Sequence, residues 1–205
     1  MNHLQNFIVL EGLDGSGTTT QGRLLYQRFV DQGVQVHLTC EPTDLETGKI
    51  IRRVLRKDLT VEPATLAYMF AADRYEHIYG KLDGIRDLTE NGVTVISDRY
   101  FFSSLAYQSL GWDYEKVAGL NSKFPLPSCC IYLDLSPEVC AERMQERHEK
   151  DIFEELELQK KVYANYEKAF ALYGDEGMKL FRIDGNRPQE EIHKEIWSCV
   201  SAANA

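Results

Sequence analysis

The sequence predicts an α/β fold of three layers, a five-stranded parallel sheet with helices on both faces. Short apolar runs rich in β-branched and aromatic residues recur along it: FIVLE (7–11), VQVHLT (34–39), VTVISD (93–98), CCIYLDL (129–135) and KLFRID (179–184). The segments between them carry helical periodicity, and strands alternating with helices are the pattern of parallel pairing by crossover. A chain of 205 residues that is 43% hydrophobic and 27% charged buries one sizeable core and has no need of two. Residues 1–205 are therefore read as a single domain.

Helices are expected near 18–32, stopped by Gly33, and then over 47–57, 63–80 and 82–91, the last stopped by Gly92. Further ones follow near 103–110, 114–123, 137–148, 154–173 and 188–202. In open sheets of this kind ligands sit beyond the carboxyl ends of the strands. Chemistry is accordingly sought at Gly12–Thr19 after the first strand, Glu41-Pro42 after the second and Asp98-Arg99 after the third. The densely charged ERMQERHEKDIFEE segment (142–155) between two helices reads either as a mobile lid or as a solvated charged face.

Thirty-two acidic and twenty-three basic residues give a net charge of −9, which disfavours nucleic acid and anionic membranes as partners and leaves small anions. The start of the chain has no charged-then-apolar leader and no apolar run approaches about 20 residues, so a cytoplasmic location is expected. Cys40, Cys129, Cys130, Cys140 and Cys199 are odd in number and contain no C-x-x-C, as expected of reduced thiols filling a core. The five histidines lack the spacing of a zinc site.

The stretch EGLDGSGTTT (11–20) directly follows the first strand and directly opens a helix. Glycine turns in that context aim successive backbone N–H groups at an anion, and the helix N-terminus adds partial positive charge. The spacing Gly12 to Gly17 fits the phosphate-binding pattern G-x-x-x-x-G-K-[ST], but Thr18 stands in place of the lysine. What is lost is one point charge; the amide cradle and Thr19, at the position that ligates Mg²⁺, do not depend on it.

Beyond this loop the whole chain, from about residue 7 to 200, resembles the thymidylate kinases, P-loop nucleoside monophosphate kinases. The matching residues are F-I-V-L-E-G-L-D-G-S-G-x-T-T-Q (7–21), E-P followed by an arginine (41–52), F-A-A-D-R (70–74), D-R-Y-F-F-S-S-L-A-Y-Q (98–108), L-D-L-S-P-E (133–138) and I-D-G-N-R (183–187). F-A-A-D-R and S-S-L-A-Y-Q are far more specific than the loop. The resemblance implies a three-layer P-loop fold with a short lid, ATP as donor, dTMP as acceptor, Mg²⁺ as cofactor and a homodimer.

It also implies site residues. Gly12, Gly15, Ser16, Gly17, Thr18, Thr19, Thr20, Arg143 and Asn186 would bind ATP, with Thr19 and Asp98 at the metal. Asp14, Glu41, Arg52, Phe70, Arg74, Arg99, Ser104, Tyr107 and Gln108 would bind dTMP, Asp14 at its sugar and Arg52 at its 5′-phosphate, with Arg53 the alternative by one residue. Phe70 and Arg74 lie four apart on one helix, so a stacking ring and a guanidinium can meet one thymine. Read without the family, Phe70 is equally a core residue, Arg74 a solvent-side partner of Asp73, and Asp98-Arg99 a local ion pair. Tyr163 or Tyr166 could pack on nucleotide, and Tyr163 reads better as core.

Arg99 and Asp14 are the expected catalytic pair. The family's lid motif D-R-[FI]-E reads D-I-F-E at 151–154, so Ile152 removes a second cation, and Arg147 or Lys150 is expected to replace the lost charge. The implied reaction is γ-phosphoryl transfer to dTMP. The rivals are a catalytically impaired module that binds thymidine nucleotides and a related deoxynucleoside kinase, the second disfavoured by a phosphate-binding Arg52.

Overall fold

The computed structural model describes residues 2–145, 152–174 and 176–203. Its one sheet is entirely parallel, with strands β1 (His3–Gly12), β2 (Val36–Cys40), β3 (Thr94–Asp98), β4 (Leu126–Asp134) and β5 (Lys179–Asp184) in the order β2-β3-β1-β4-β5. Between them run α1 (Thr18–Asp31), α2 (Glu46–Leu55), α3 (Pro63–Tyr79), α4 (Ile85–Glu90), α5 (Phe101–Tyr107), α6 (Tyr114–Asn121), α7 (Pro137–Gln145), α8 (Ile152–Tyr173) and α9 (Gln189–Ala203). This is the predicted three-layer class.

The strand order places β1 at the centre, where Phe7–Leu10 are wholly inaccessible. An inner strand covered on both faces must be a continuous apolar run, as FIVL is. On one side Tyr100, Phe101, Phe102, Tyr132, Tyr166, Phe170 and Tyr173 form an aromatic layer; on the other, Phe29 of α1 meets Trp197 of α9 edge-on at 5.2 Å.

Several boundaries differ from expectation for local reasons. β1 starts four residues early, because His3 and Leu4 pair with Leu126 and Pro127 before a register shift ahead of Ile8. β2 starts late, since Gly33 and Val34 are spent on a turn that returns the Val34 N–H to Phe29 O. α4 begins at Ile85 rather than 82, after Asp83 adopts φ +56°. Cys129, Cys130 and Cys140 are buried as predicted, while Cys40 and Cys199 are only half-buried; all five are free thiols. No helix among the described residues is long and apolar enough to cross a membrane.

The order β3-β1-β4 brings three strand ends side by side: Leu10 pairs with Asp98 on one side and with Ile131 on the other. The loops leaving β1 and β3 therefore open beside each other.

Candidate active site

The β1–α1 loop closes on a turn in which the Ser16 N–H donates to Leu13 O, and α1 starts at Thr18 without a side-chain cap. Its first amides have no protein partner among the described residues, as at any uncapped helix start. Gly15 (φ +88°) and Gly17 (φ +100°) take left-handed conformations that L-residues resist; a Cβ at Gly17 would meet nothing, so backbone angle alone demands glycine there. The cavity over the loop, about 270 Å³, is lined by Asp14, Gly15, Gly17, Thr18–Thr20, Arg99 and Met144. Thr18 is 5% exposed.

At the mouth of this loop Thr19 Oγ1 donates to Asp98 Oδ2 at 2.5 Å, while Asp98 Oδ1 is buried and has no hydrogen-bond partner among the described residues. A hydroxyl and an orphaned carboxylate oxygen are hard donors of the kind Mg²⁺ selects, and that ion retains several waters of its own, so two protein oxygens fit it.

Arg99 connects the loops. Its backbone N–H donates to Leu10 O, and φ is +76°, a conformation unusual for a side chain of this size. Nη1 donates to Gly12 O (2.8 Å), Tyr166 Oη (3.0 Å) and Ser103 Oγ (3.2 Å); Nη2 donates to Asp14 Oδ1 (2.7 Å). The alternative reading of Asp98-Arg99 as a local ion pair is not borne out: Asp98 turns to Thr19 and Arg99 to Asp14. The Asp14 N–H in turn donates to Tyr107 Oη at 3.0 Å.

On the other side of the Asp14–Arg99 pair lies a second cavity, about 260 Å³, lined by Glu41, Pro42, Phe70, Arg74, Ser104, Tyr107 and Gln108 together with both members of that pair. Arg74 is 1% exposed. Its Nε and Nη2 both donate to Glu41 Oε2 (2.9 and 2.5 Å), Nη2 also to Ser104 Oγ (3.1 Å), and Nη1 to Asn121 Oδ1 (2.5 Å). Of five N–H groups one on Nη1 remains for a ligand. The alternative pairing with Asp73 is overturned: Asp73 is buried and accepts from the Thr43 N–H and from the Thr43 and Thr47 hydroxyls.

The thymidylate kinase family model matches residues 10–196 of this chain, a span that contains the loop, both cavities' lining and Arg99. The chain belongs to the thymidylate kinase family. It is 41% identical to a probable thymidylate kinase of Pyrococcus horikoshii over 201 residues, 95% of each chain, and 42% identical to one of Methanococcus aeolicus over 197 residues, 94% of each.

Within this member of the family, the expected site residues are not all gathered. Arg52 lies outside the second cavity's lining; it donates to Pro42 O (2.5 Å) and Thr43 O and pairs with Asp44 at 3.2 Å, clamping the segment after β2. Arg53 is exposed. Arg143 reaches Gly15 O and Gly185 O, both at 3.4 Å, beside a groove lined by Ser16, Gly17, Thr20, Gln21, Gly185 and Arg187. Asn186 is exposed next to that groove without lining it. Arg147 and Lys150 lie outside the described residues.

Sequence reasoning missed three supports. His77 donates from Nδ1 to Glu41 Oε1 (3.0 Å) and hydrogen-bonds through Nε2 with Thr39 Oγ1 (2.8 Å), holding the carboxylate that holds Arg74; its i+3 spacing from Arg74 was the available signal. Asn121 gave none. Glu11, wholly buried at the end of β1, accepts from Tyr100 N, Ser103 N, Ser103 Oγ and Tyr166 Oη; a lone charge closing an apolar strand was its signal. Of the two tyrosines left open, Tyr166 is the one at Arg99, and Tyr163 is half-buried against the core.

Proposed function

We propose that this chain transfers the γ-phosphate of ATP to dTMP, giving dTDP and ADP. The observation that carries the reading is the Asp14–Arg99 pair, which borders both the loop cavity and the base cavity. A guanidinium at that seam faces the donor and acceptor phosphates together, and its planar fork suits phosphate oxygens.

In this reading, the amides of Gly15 and of Gly17 to Thr20 hold the donor polyphosphate. Phe70 stacks on thymine, the remaining Arg74 N–H donates to its O4, Tyr107 walls the sugar, and Gln108, whose Oε1 is buried and without a partner among the described residues, faces the base. Thr19 and Asp98 would hold Mg²⁺, which when bound neutralises charge on the donor phosphates. An acceptor phosphate oxygen attacks the γ-phosphorus; that P–O bond forms as the bond to the β,γ-bridging oxygen breaks, and ADP leaves with the electron pair. The attacking oxygen is already anionic, so no general base is required. Positioning and charge neutralisation supply the acceleration.

The charge missing at Thr18 would cost about 10²–10³ in rate if nothing replaced it, which still leaves an enzyme. Arg99 is the cation lining the loop cavity among the described residues, and Arg147 or Lys150 would join it from the lid. Arg52, released from the 42–43 carbonyls, would meet the acceptor phosphate. The reading extends to a single kinase domain, a cytoplasmic location and a homodimer; Tyr68 and Tyr75, seven apart on α3 and both more than half exposed, support a helix-faced dimer.

The test is ADP formation with Mg·ATP across dTMP, dUMP, dCMP and thymidine. Preference for dTMP with no turnover of thymidine is expected. A folded protein that binds dTMP yet forms no ADP would leave a nucleotide-binding module instead.

A further inference from the structure

We infer that Glu11 is a positioning residue for Arg99, acting through the hydroxyls of Ser103 and Tyr166, and that it does so as a carboxylate. This rests on the kinase reading above for its activity readout, but the geometry stands apart from it. Glu11 does not touch Arg99 through any hydrogen bond of its own. Its Oε2 accepts from Ser103 Oγ (2.6 Å) and Tyr166 Oη (2.8 Å), and both of those oxygens accept in turn from Arg99 Nη1 (3.2 and 3.0 Å).

The direction of each hydrogen bond follows from the donors available. A hydroxyl has one proton, and a carboxylate only accepts. While Glu11 is ionised, both hydroxyls spend their protons on Oε2 and turn lone pairs to the guanidinium. Oε1 is occupied by two backbone donors, the Tyr100 N–H (2.8 Å) and the Ser103 N–H (3.3 Å). A proton added to Glu11, or the amide NH₂ of a glutamine, must therefore sit on the Oε2 side. There it donates to one hydroxyl and frees that hydroxyl's own proton. Ser103 Oγ and Tyr166 Oη are 2.9 Å apart and Gly12 O lies 3.1 Å from Tyr166 Oη, so the displaced proton either turns toward the other hydroxyl, taking a lone pair from Arg99, or turns onto Gly12 O, where it competes with Arg99 Nη1 for that carbonyl.

What depends on this is the seat of Arg99. Tyr166 Oη and Ser103 Oγ share Nη1 with Gly12 O, and Nη2 holds Asp14; tilting the guanidinium to escape a hydroxyl proton disturbs both loop contacts. The groups with charge or titration that face Glu11 are Arg99 from the β3–α5 turn, Tyr166 from α8 and Cys130 from β4. Arg99 is the cation of that set, with no direct bridge to the carboxylate. Burial accordingly pushes Glu11 up to about 7, against the lowering effect of Arg99 and of the hydrogen bonds from the Ser103 and Tyr166 hydroxyls and the Tyr100 N–H.

The experiment is a double-mutant cycle on the full chain with Glu11→Gln and Arg99→Lys, read both as kcat/KM for dTMP and as dTMP affinity by calorimetry. Glu11→Gln is expected to lower kcat/KM at pH 8 by about 10- to 100-fold, the range a misplaced contact produces. In the Arg99→Lys background the same change is expected to cost under about twofold, because its route of action is already gone. Tyr166→Phe, which keeps the ring and removes the bridging hydroxyl, serves where Glu11→Gln folds poorly; it should show the same dependence on Arg99.

The parent's kcat/KM should fall as pH drops through about 7, on top of the acceptor phosphate's own ionisation near 6. Glu11→Gln should keep only the second limb. Losses that add in full to those of Arg99→Lys, or a pH profile shared by parent and Glu11→Gln, overturn the proposal. If the parent forms no ADP, the kinase reading fails on its own, and the cycle in dTMP affinity still decides the role of Glu11.

Discussion

Asp14 and Arg99 meet at 2.7 Å, Oδ1 to Nη2, at the seam between two cavities, although 85 residues separate them in sequence. The parallel register explains the meeting: Leu10 and Asp98 are partners at the ends of β1 and β3, so the residues that follow each strand emerge side by side. The pair makes Arg99 a shared wall of both cavities.

Arg99→Lys therefore should not behave as a conservative change. A lysine can replace one of the four side-chain contacts to Gly12 O, Asp14, Ser103 and Tyr166 but not the fork. A fall of about 10²–10³ in kcat is expected, with retained fold by circular dichroism. A loss under tenfold would remove Arg99 from the centre of the mechanism.

The Arg74–Glu41 pair lends itself to a stability measurement, since both side chains are almost inaccessible, at 1% and 3%. Glu41→Gln leaves Arg74 charged and buried without its counter-ion, which costs about 3–5 kcal/mol. A chemical denaturation midpoint close to the parent's would show that Asn121 and Ser104 suffice.

Thr18→Lys tests how the missing cation is made good. Thr18 is 5% exposed, so a lysine there must extend into the loop cavity beside Arg99. A change in kcat of less than about tenfold is expected, because the amides and Arg99 already share the task. A gain of about 10²–10³ from near-zero activity would point to a degenerate binding module.

The raised Glu11 also sets a stability trend, opposite to its role in activity. A carboxyl whose folded value, about 7, lies above its ordinary 4.5 stabilises the fold below pH 4.5, and this contribution is lost as pH rises through 7. The loss amounts to about 3 kcal/mol across that window. Unfolding free energies of the parent and Glu11→Gln, compared at pH 5 and pH 8, should move in the variant's favour at the higher pH. A constant difference would mean that Glu11 does not titrate in the window.

The strands and the loop were legible because they are local: an apolar run, a glycine spacing and a helix start lie within twenty residues of one another. Phe70 and Arg74 could be placed together by helical spacing alone, and both line the second cavity. What surrounds them could not, because Glu41, Asn121 and Ser104 reach Arg74 from three other segments. Arg52 shows the reverse limit: its position fitted a phosphate ligand, yet three nearby acceptors at Pro42, Thr43 and Asp44 hold its guanidinium. Glu11 looked like the end of an apolar strand, and only the approach of α5 and α8 gives its carboxylate four donors.

The central claim is that main-chain amides at the β1–α1 junction hold a polyphosphate beside an uncharged Thr18. Titrating isotope-labelled protein with a non-hydrolysable ATP analogue and Mg²⁺, and following backbone amide resonances, tests it directly. The largest shifts are expected at Gly15, Gly17, Thr18, Thr19 and Thr20, saturating together. Saturable binding that leaves those amides unmoved would contradict it.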